Sequence, residues 1–349
     1  MSDILLANKK LPDGFIDCAV GEAHIVKDAL FKTFPGIESC FINLSVDGKS
    51  KYPNPNGYEP LVKLLEDKYQ APVVITNGAK QALGASFYLL NKIGKNKLGM
   101  RTPYWALIPP LARAHGLEMY DARVNCNDDP AGYNSYLAIL PNNPDGHMLN
   151  YEFAKYTADY HKSIGIPYIH DSVYYSHTYL PKDYPLLPFG DLQIYSLSKS
   201  YGLSGVRIGW IVCHNQDYYH DLLEYMETFT VGVSIPSQDI AYNILKEVCC
   251  NEQRHEMFID DTRDKLLIAK ALCKTIRPDV LEVPENMTES NGMFLWARVK
   301  DKANFNAAKV NVISGEPFGA PGYIRMNLAL QTNTIIEVIE RLNRAADEI

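Results

Sequence analysis

The chain has 349 residues, of which 46% are hydrophobic and 21% are charged, and its formal net charge is -7. This length allows a large buried core and suggests two domains, or one large and one small domain. The acidic balance gives a nucleic-acid partner no overall electrostatic support, and no apolar run approaches the ~20 residues that a membrane span needs.

The cysteines and the first residues of the chain indicate the cellular compartment of the protein. Seven cysteines are scattered along the chain, and their spacing matches neither a zinc site nor a disulfide framework. Reduced thiols of a cytosolic protein are the favoured interpretation. The start of the chain has neither the basic residues nor the long apolar stretch of a secretory signal. We therefore expect a cytoplasmic protein with no metal site and with neither membrane nor nucleic acid as a partner.

Loops and helices are predicted before residue 70. Gly21 lies in a loop, where glycine lets the backbone approach a ligand closely, although a plain turn is about equally compatible. A helix is predicted over residues 27–34, where a Pro-Gly pair ends it. A loop rich in turn formers begins at Tyr52 and leads into an amphipathic helix over residues 59–69.

The next segment predicts a strand, a tight turn and a helix. Residues 73–76 are β-branched or apolar, and residues 81–93 have helical spacing. The turn between them contains Gly78, Ala79 and Lys80. Small residues at such a turn expose N–H groups at a helix N-terminus, where unsatisfied donors and the helix dipole bind phosphate.

Three further stretches place polar or aromatic side chains at strand ends. Tyr104 offers a flat ring that can stack on a heterocycle, or it packs in the core. Asn143 lies in a polar turn after an apolar strand. Asp171 projects from the end of another strand, with Tyr174 just past it. Taken alone, Asp171 is also explained as a strand-end turn former.

The stretch over residues 196–210 organises the chain. Lys199 follows an apolar strand, where desolvation favours a neutral amine that can form a Schiff base with a carbonyl. The planar fork of Arg207 suits a phosphate dianion, and the hydroxyls of Ser196 and Ser198 can add donors. Together they predict a phosphorylated aldehyde cofactor. The alternative is that Lys199 and Arg207 only cap a strand and pair with carboxylates.

The last third predicts a long helix over residues 252–276, strands over residues 291–297 and 322–329, and a final helix. Arg325 lies in the second of these strands and, taken alone, is also compatible with a solvated arginine. Earlier in the chain, strands alternate with helices between about residues 70 and 215. This alternation indicates an α/β sheet, mainly parallel and covered by helices on both faces.

The lysine stretch resembles the signature of the class I and II aminotransferases, the pyridoxal-phosphate (PLP) enzymes of fold type I. The resemblance runs from about residue 17 to residue 345, and it implies PLP as the cofactor. It implies that Lys199 holds PLP as a Schiff base and then acts as the general base. It also implies that Asp171 keeps the pyridine nitrogen protonated and that Tyr174 donates to the phenolic oxygen.

Further contacts follow from the same resemblance. It implies a phosphate site built from Gly78, Ala79, Lys80, Ser196, Ser198 and Arg207. Lys80 departs from the family, which often has a hydroxyl residue there, so only its backbone N–H is expected to serve. Tyr104 would stack on the ring, and Asn143 would face the phenolic oxygen. Gly21 would lie over the substrate, while Arg325 would clamp its α-carboxylate bidentately.

The resemblance also implies architecture and assembly. The large domain, residues 46–250, would hold a mostly parallel central sheet with one antiparallel strand, covered by helices. The small α+β domain would combine residues 1–45 and 251–349. In the family, a tyrosine at the position of Tyr52 reaches the cofactor phosphate of the neighbouring subunit, and the loop over residues 230–237 resembles the segment that crosses the interface. A homodimer with shared active sites is implied.

The function implied is a PLP-dependent aminotransferase of amino-acid metabolism and biosynthesis, acting on an L-amino acid and a 2-oxo acid. One alternative is a PLP lyase, cyclase or oxidase of the same fold. Another is a non-catalytic binding protein that keeps the fold. No second arginine stands out for a distal carboxylate. The aromatic residues Tyr104, Trp105, Tyr175 and Tyr323 would permit aromatic or guanidino substrates.

Overall fold

The computed structural model describes residues 11–42, 52–122 and 132–348. The strands are β1 (Ile16–Asp17), β2 (Val73–Thr76), β3 (Lys97–Met100), β4 (Glu118–Asp121), β5 (Ser135–Ile139), β6 (Tyr168–Asp171), β7 (Leu192–Ser196), β8 (Gly209–Cys213), β9 (Leu281–Glu282), β10 (Phe294–Val299), β11 (Val310–Asn311), β12 (Ile313–Ser314) and β13 (Tyr323–Asn327). The α-helices are α1 (His24–Thr33), α2 (Ser39–Ile42), α3 (Glu59–Tyr69), α4 (Ala79–Lys92), α5 (Ile108–Ala114), α6 (Tyr151–Ser163), α7 (Leu197–Ser200), α8 (Tyr219–Thr230), α9 (Ile235–Cys249), α10 (Glu252–Cys273) and α11 (Thr332–Ala345).

The larger sheet has seven strands in the order β2-β8-β7-β6-β5-β3-β4. Strand β8 runs antiparallel to both of its neighbours, and the remaining pairs are parallel. Every residue of β2, β5 and β6 is buried, as expected of strands that are covered on both faces. The predicted fold class, a mostly parallel sheet with one antiparallel strand and flanking helices, is confirmed.

A smaller unit contains an antiparallel sheet in the order β12-β13-β10-β9, together with a parallel pair formed by β1 and β11. Helix α11 packs against it through Ile335, Val338, Ile339 and Leu342, whose spacing gives one apolar stripe. Cys18, next to β1, lies in the same core. Both ends of the chain therefore contribute to the smaller unit, as predicted.

Helix α1 packs differently from its neighbour β1. Its buried residues Ile25, Val26, Ala29 and Leu30 belong to the larger core, which also contains Phe258 of α10. The predicted boundary between residues 45 and 46 lies outside the described residues, so the division into domains stays a prediction.

The segment predicted as a loop over residues 230–237 is shorter than expected. Helix α9 begins at Ile235, because the Ser234 hydroxyl caps it by accepting from the Ser237 N–H. Pro236 falls in the first turn, where its missing N–H removes no helical hydrogen bond. Among the described residues, no helix has both the length and the apolar character that crossing a bilayer would require.

Candidate active site

Three of the predicted site residues lie where three parallel strands end. Ile139 of β5 lies opposite Asp171 of β6, which in turn lies opposite Ile194 of β7. Carboxyl ends of parallel strands meet at one edge of a sheet, and the loops that follow them form the usual ligand crevice of such folds. The segments carrying Asn143 and Lys199 follow β5 and β7 at this edge.

Lys199 belongs to the short helix α7, which the Ser196 hydroxyl caps by accepting from the Ser198 N–H. Its ammonium donates to the carbonyl oxygen of Gly21. Burial and, next, the positive charge of Arg325 lower the pKa of the Lys199 amine to about 8. A larger fraction of the amine is therefore neutral near physiological pH than in an exposed lysine, as the sequence predicted.

Asp171 and Tyr174 are both buried. The Asp171 carboxylate accepts from the Val173 N–H at 3.2 Å, but burial dominates and raises the pKa of this acid to about 7. A cationic partner would favour its ionised form. Burial also raises the pKa of the Tyr174 phenol, which therefore stays a proton donor at neutral pH.

Arg325 of β13 is buried between the two units. Its Nη1 donates to Asn143 Oδ1 at 3.0 Å and its Nη2 to the Ala19 carbonyl at 2.8 Å. The rings of Phe294 and Phe318 lie 4.3 and 5.1 Å from the guanidinium carbon. Burial lowers the pKa of Arg325 to about 10, so the group remains cationic. Its Nε is buried without a hydrogen-bond partner among the described residues, which leaves a donor for an anion.

The loop around Gly21 is held against the lysine. A Cβ on Gly21 would lie 3.1 Å from the Phe294 ring, so glycine allows this close approach. Asn327 Nδ2 donates to the carbonyls of Val20 and Glu22, both at 2.8 Å. The sequence interpretation missed Asn327. Its place two residues after Arg325 on one strand, and hence on the same face, was the available signal.

The predicted phosphate site is formed by the N-terminus of α4 and by Arg207. Gly78 is the N-cap of α4 with φ +74°, and a Cβ there would lie 2.5 Å from Arg207 Nη2. Arg207 itself has φ +59° and donates to the carbonyls of Ser204 at 2.9 Å and Asn77 at 3.3 Å. The hydroxyls of Ser196 and Ser198 lie 2.9 Å apart. The structure therefore brings the glycine, the helix terminus and the arginine together, and their role in binding phosphate stays a prediction.

The other predicted residues lie further out. Ala79 opens α4, and the exposed Lys80 places its ammonium 5.9 Å from the Trp105 ring centre, as expected for a side chain not aimed at phosphate. Tyr104 is half-buried, and its backbone N–H donates to the Phe318 carbonyl at 3.3 Å. Tyr52 is 86% exposed and is not brought into the buried group. The roles assigned to all these residues stay predictions.

Comparisons with known proteins place the chain in a family. Residues 43–342 match the family model described as aminotransferase class I and II. A probable aspartate/prephenate aminotransferase of Aquifex aeolicus is 26% identical and covers 91% of this chain and 89% of its own length. An alliin lyase of Allium cepa var. aggregatum is 29% identical and covers 67% of this chain and 56% of its own length.

The chain spans between about half and nine tenths of the length of the curated relatives that it matches. Among solved structures, an aspartate aminotransferase of Thermotoga maritima superposes with a TM-score of 0.75 at 20% identity, over 98% of this chain and 94% of that one. This likeness shows the shared fold, and the family match covers most of the sequence. The chain therefore belongs to the class I and II aminotransferases, the family that its lysine stretch resembles.

Proposed function

We propose that the protein is a PLP-dependent aminotransferase that attaches PLP at Lys199 and transfers the amino group of an L-amino acid to a 2-oxo acid. One observation carries the proposal. An amine of lowered pKa, a buried acid and an arginine with an unpaired donor converge at one sheet edge, close to a helix N-terminus suited to phosphate.

The residues present fit the cofactor. The phosphate suits the N–H groups that follow Gly78 and the guanidinium of Arg207. The protonated ring nitrogen suits Asp171, because a buried carboxylate is stabilised by a cation. Tyr174 and the amide nitrogen of Asn143 can donate to the phenolic oxygen. When bound, PLP supplies a reactive aldehyde and a ring that accepts electrons from the substrate carbon.

The chain's own groups would orient the substrate and move its proton. Arg325 would bind the α-carboxylate through Nε and a terminal nitrogen, while Phe294 and Phe318 keep water away from the ion pair. The neutral amine of Lys199 would take the proton from the substrate Cα and later return a proton. Its lowered pKa suits a base that works near neutral pH.

The test begins with the purified protein and PLP. We expect an absorption change on mixing, and borohydride reduction should then fix the cofactor on the peptide that contains Lys199. A screen of amino-acid donors with one fixed 2-oxo acid should next show amino transfer and identify the preferred donor. A reduced adduct on a different lysine would reject the assignment of Lys199.

A lyase is the second candidate, because one relative, 29% identical over 67% of this chain and 56% of its own length, is an alliin lyase. The two reactions differ in one requirement. Transamination needs a 2-oxo acid acceptor in each complete cycle, whereas elimination releases its product without an acceptor. Sustained turnover of an amino acid in the absence of any 2-oxo acid would favour the lyase.

We further propose a homodimer in which Tyr52 completes the partner's site. Support comes from an exposed apolar area: Tyr52 is 86%, Phe229 58% and Val231 48% exposed. A Cβ on Gly232 would lie 2.5 Å from Pro53 Cγ, so the two segments lie close together. Mixing Tyr52→Ala subunits with Lys199→Ala subunits should restore activity, since one intact site forms per hybrid dimer. A fully active monomer in sedimentation would contradict the shared site.

A cytoplasmic location and a biosynthetic role stay predictions.

A further inference from the structure

Asp145 is the centre of a polar cluster beside the candidate site. It lies two residues after Asn143, in the turn that follows β5. Its Oδ2 accepts from Arg101 Nη1 at 2.8 Å, and its Oδ1 accepts from Asn142 Nδ2 at 2.7 Å and from the His147 N–H at 3.1 Å. Only 15% of the side chain is exposed. A half-buried carboxylate with three donors, one of them charged, holds its neighbours in a fixed geometry.

The cluster ties this turn to the segment that carries Tyr104. Asn142 Nδ2, besides its bond to Asp145, donates to the Pro103 carbonyl at 2.9 Å. Pro103 directly precedes Tyr104, and Arg101 lies on the same segment. The carboxylate of Asp145 therefore reaches the Tyr104 segment twice, once through the guanidinium of Arg101 and once through the amide of Asn142.

The same turn contacts the smaller unit. The carbonyl oxygen of Gly146 accepts from the Asn291 N–H at 3.3 Å. A Cβ on Gly146 would lie 2.1 Å from the Asn291 carbonyl oxygen, so the two segments are in close contact. Asn143 Oδ1 accepts from Arg325. A shift of the turn would thus move the Asn143 amide away from Arg325, and it would also disturb the segment that carries Tyr104.

We propose that Asp145 is a positioning residue that sets the Asn143 amide and the Tyr104 ring at the separation needed to hold PLP. The inference rests on the proposed function, because it concerns affinity for that cofactor. Asp145 acts through Asn143 and Tyr104 and does not itself touch the ligand. Asp145→Asn keeps the volume but turns one acceptor oxygen into a donor that faces Arg101 or Asn142.

The experiment compares Asp145→Asn with a matched control, Asp279→Asn. Asp279 also pairs with an arginine, accepting from Arg277 Nε at 3.0 Å and Nη2 at 2.7 Å, but that pair belongs to the smaller unit. PLP is titrated into each apoprotein and the dissociation constant is measured. We expect the constant to rise about tenfold or more in Asp145→Asn, since bonds to charged groups are the strong ones, and to stay within twofold in Asp279→Asn.

A double-mutant cycle separates positioning from general damage to the fold. If Asp145 acts through Asn143, then Asp145→Asn should raise the dissociation constant less than threefold when Asn143 is already alanine. Arg101→Gln is the second variant, should Asp145→Asn fail to fold. It removes one arm of the cluster, and we expect a smaller rise with the same non-additivity.

The outcomes are distinct. An unchanged dissociation constant in both Asp145→Asn and Arg101→Gln, or full additivity with Asn143→Ala, would overturn the positioning role alone. Failure of the unaltered protein to bind PLP would instead overturn the proposed function, and the inference with it. Thermal unfolding of each apoprotein, measured without PLP, shows whether a loss of affinity simply follows a loss of stability.

Discussion

The inner and outer parts of the candidate site are built in different ways. The inner part, with Asp171, Tyr174, Asn143 and Arg325, is buried, and desolvation shifts the pKa of Asp171, Tyr174 and Arg325. In the outer part, Gly78 and Arg207 both have positive φ, and Arg207 is exposed. Burial therefore shifts the pKa values of the inner part, whereas backbone conformation determines the geometry of the outer part. Changes of Asp171 and Arg325 should therefore alter the reaction with the substrate and its pH dependence, whereas changes of Gly78 should mainly alter cofactor affinity.

The largest effect is expected for Lys199→Ala. Activity should fall by roughly 10³-fold or more, because both the attachment point and the base are lost. Borohydride reduction followed by peptide mapping should find no adduct. Lys270→Met is the matched control, since Lys270 is also buried with its pKa lowered to about 8, yet it donates to the Ser290 carbonyl away from the site. Loss of the adduct in this control would contradict the assignment.

Asp171→Asn should lower kcat by roughly 10²–10³-fold, because removing one partner of a buried charge pair leaves the other unpaired. The comparison between inner and outer parts also predicts that KM for the amino acid changes much less. Steady-state kinetics at saturating PLP measures both values. A variant that retains more than a tenth of the activity would show that this acid does not support the cofactor ring.

Arg325→Gln should raise KM for the amino acid by about 10–100-fold, the usual cost of losing hydrogen bonds to a charged group. Because the positive charge of Arg325 lowers the pKa of Lys199, its removal should also raise that pKa. The rate of PLP attachment would then reach its maximum at a higher pH. Arg325→Lys keeps the charge without the planar fork, so it should show the KM effect but leave the pH profile nearly unchanged.

Gly78→Ala tests the outer part. A Cβ at this position would lie 2.5 Å from Arg207 Nη2, so PLP affinity should fall about tenfold while kcat at saturating PLP stays nearly constant. Gly165→Ala is the control, because Gly165 has φ +71° but no described heavy atom within 4 Å of its Cβ position. It should cost about 1 kcal/mol of stability and leave affinity unchanged. Equal losses of PLP affinity in both variants would show that the contact with Arg207 does not explain the effect of Gly78→Ala.

The last prediction concerns the stability of the apoprotein. The pKa of Asp171 is about 7 in the folded chain, against 3.8 for an exposed aspartate, so the folded state binds more protons between these pH values. Stability should therefore fall as pH rises from about 4 to 7, by an amount on the order of 4 kcal/mol. Urea unfolding at pH 5 and pH 8 should show less of this loss in Asp171→Asn. An equal pH dependence in both proteins would contradict the burial effect.

Much of the fold could be predicted, because the signals are local. Apolar runs ending at Asp171 and before Lys199 marked strands, and the spacing of residues 59–69 marked a helix whose bounds agree with α3. The order of the polar residues along the chain identified the family. The start of α9 at Ile235 was not predicted, because it depends on a single capping residue, Ser234.

Contacts between distant parts of the chain could not be predicted. The bond from Arg325 to Asn143 joins residues 182 positions apart, and Phe318 approaches Arg325 from a separate turn. Asp145 accepts from Arg101, which lies 44 positions away along the chain and is brought to the carboxylate only by folding. Pairing of this kind depends on the packing of two units, which a single sequence does not display.

The surroundings of Arg325 restrict what can dock on it. The rings of two phenylalanines lie against the guanidinium carbon of Arg325. Its two terminal nitrogens already donate to Asn143 and Ala19, so the unpaired Nε lies at the remaining edge of the guanidinium. A flat carboxylate can slide into the plane of the fork along that edge. Sulfonate and phosphonate analogues of the same amino acid carry a tetrahedral head that protrudes from the plane and would strike the rings. Such analogues should be poor competitors even though their charge is the same or greater.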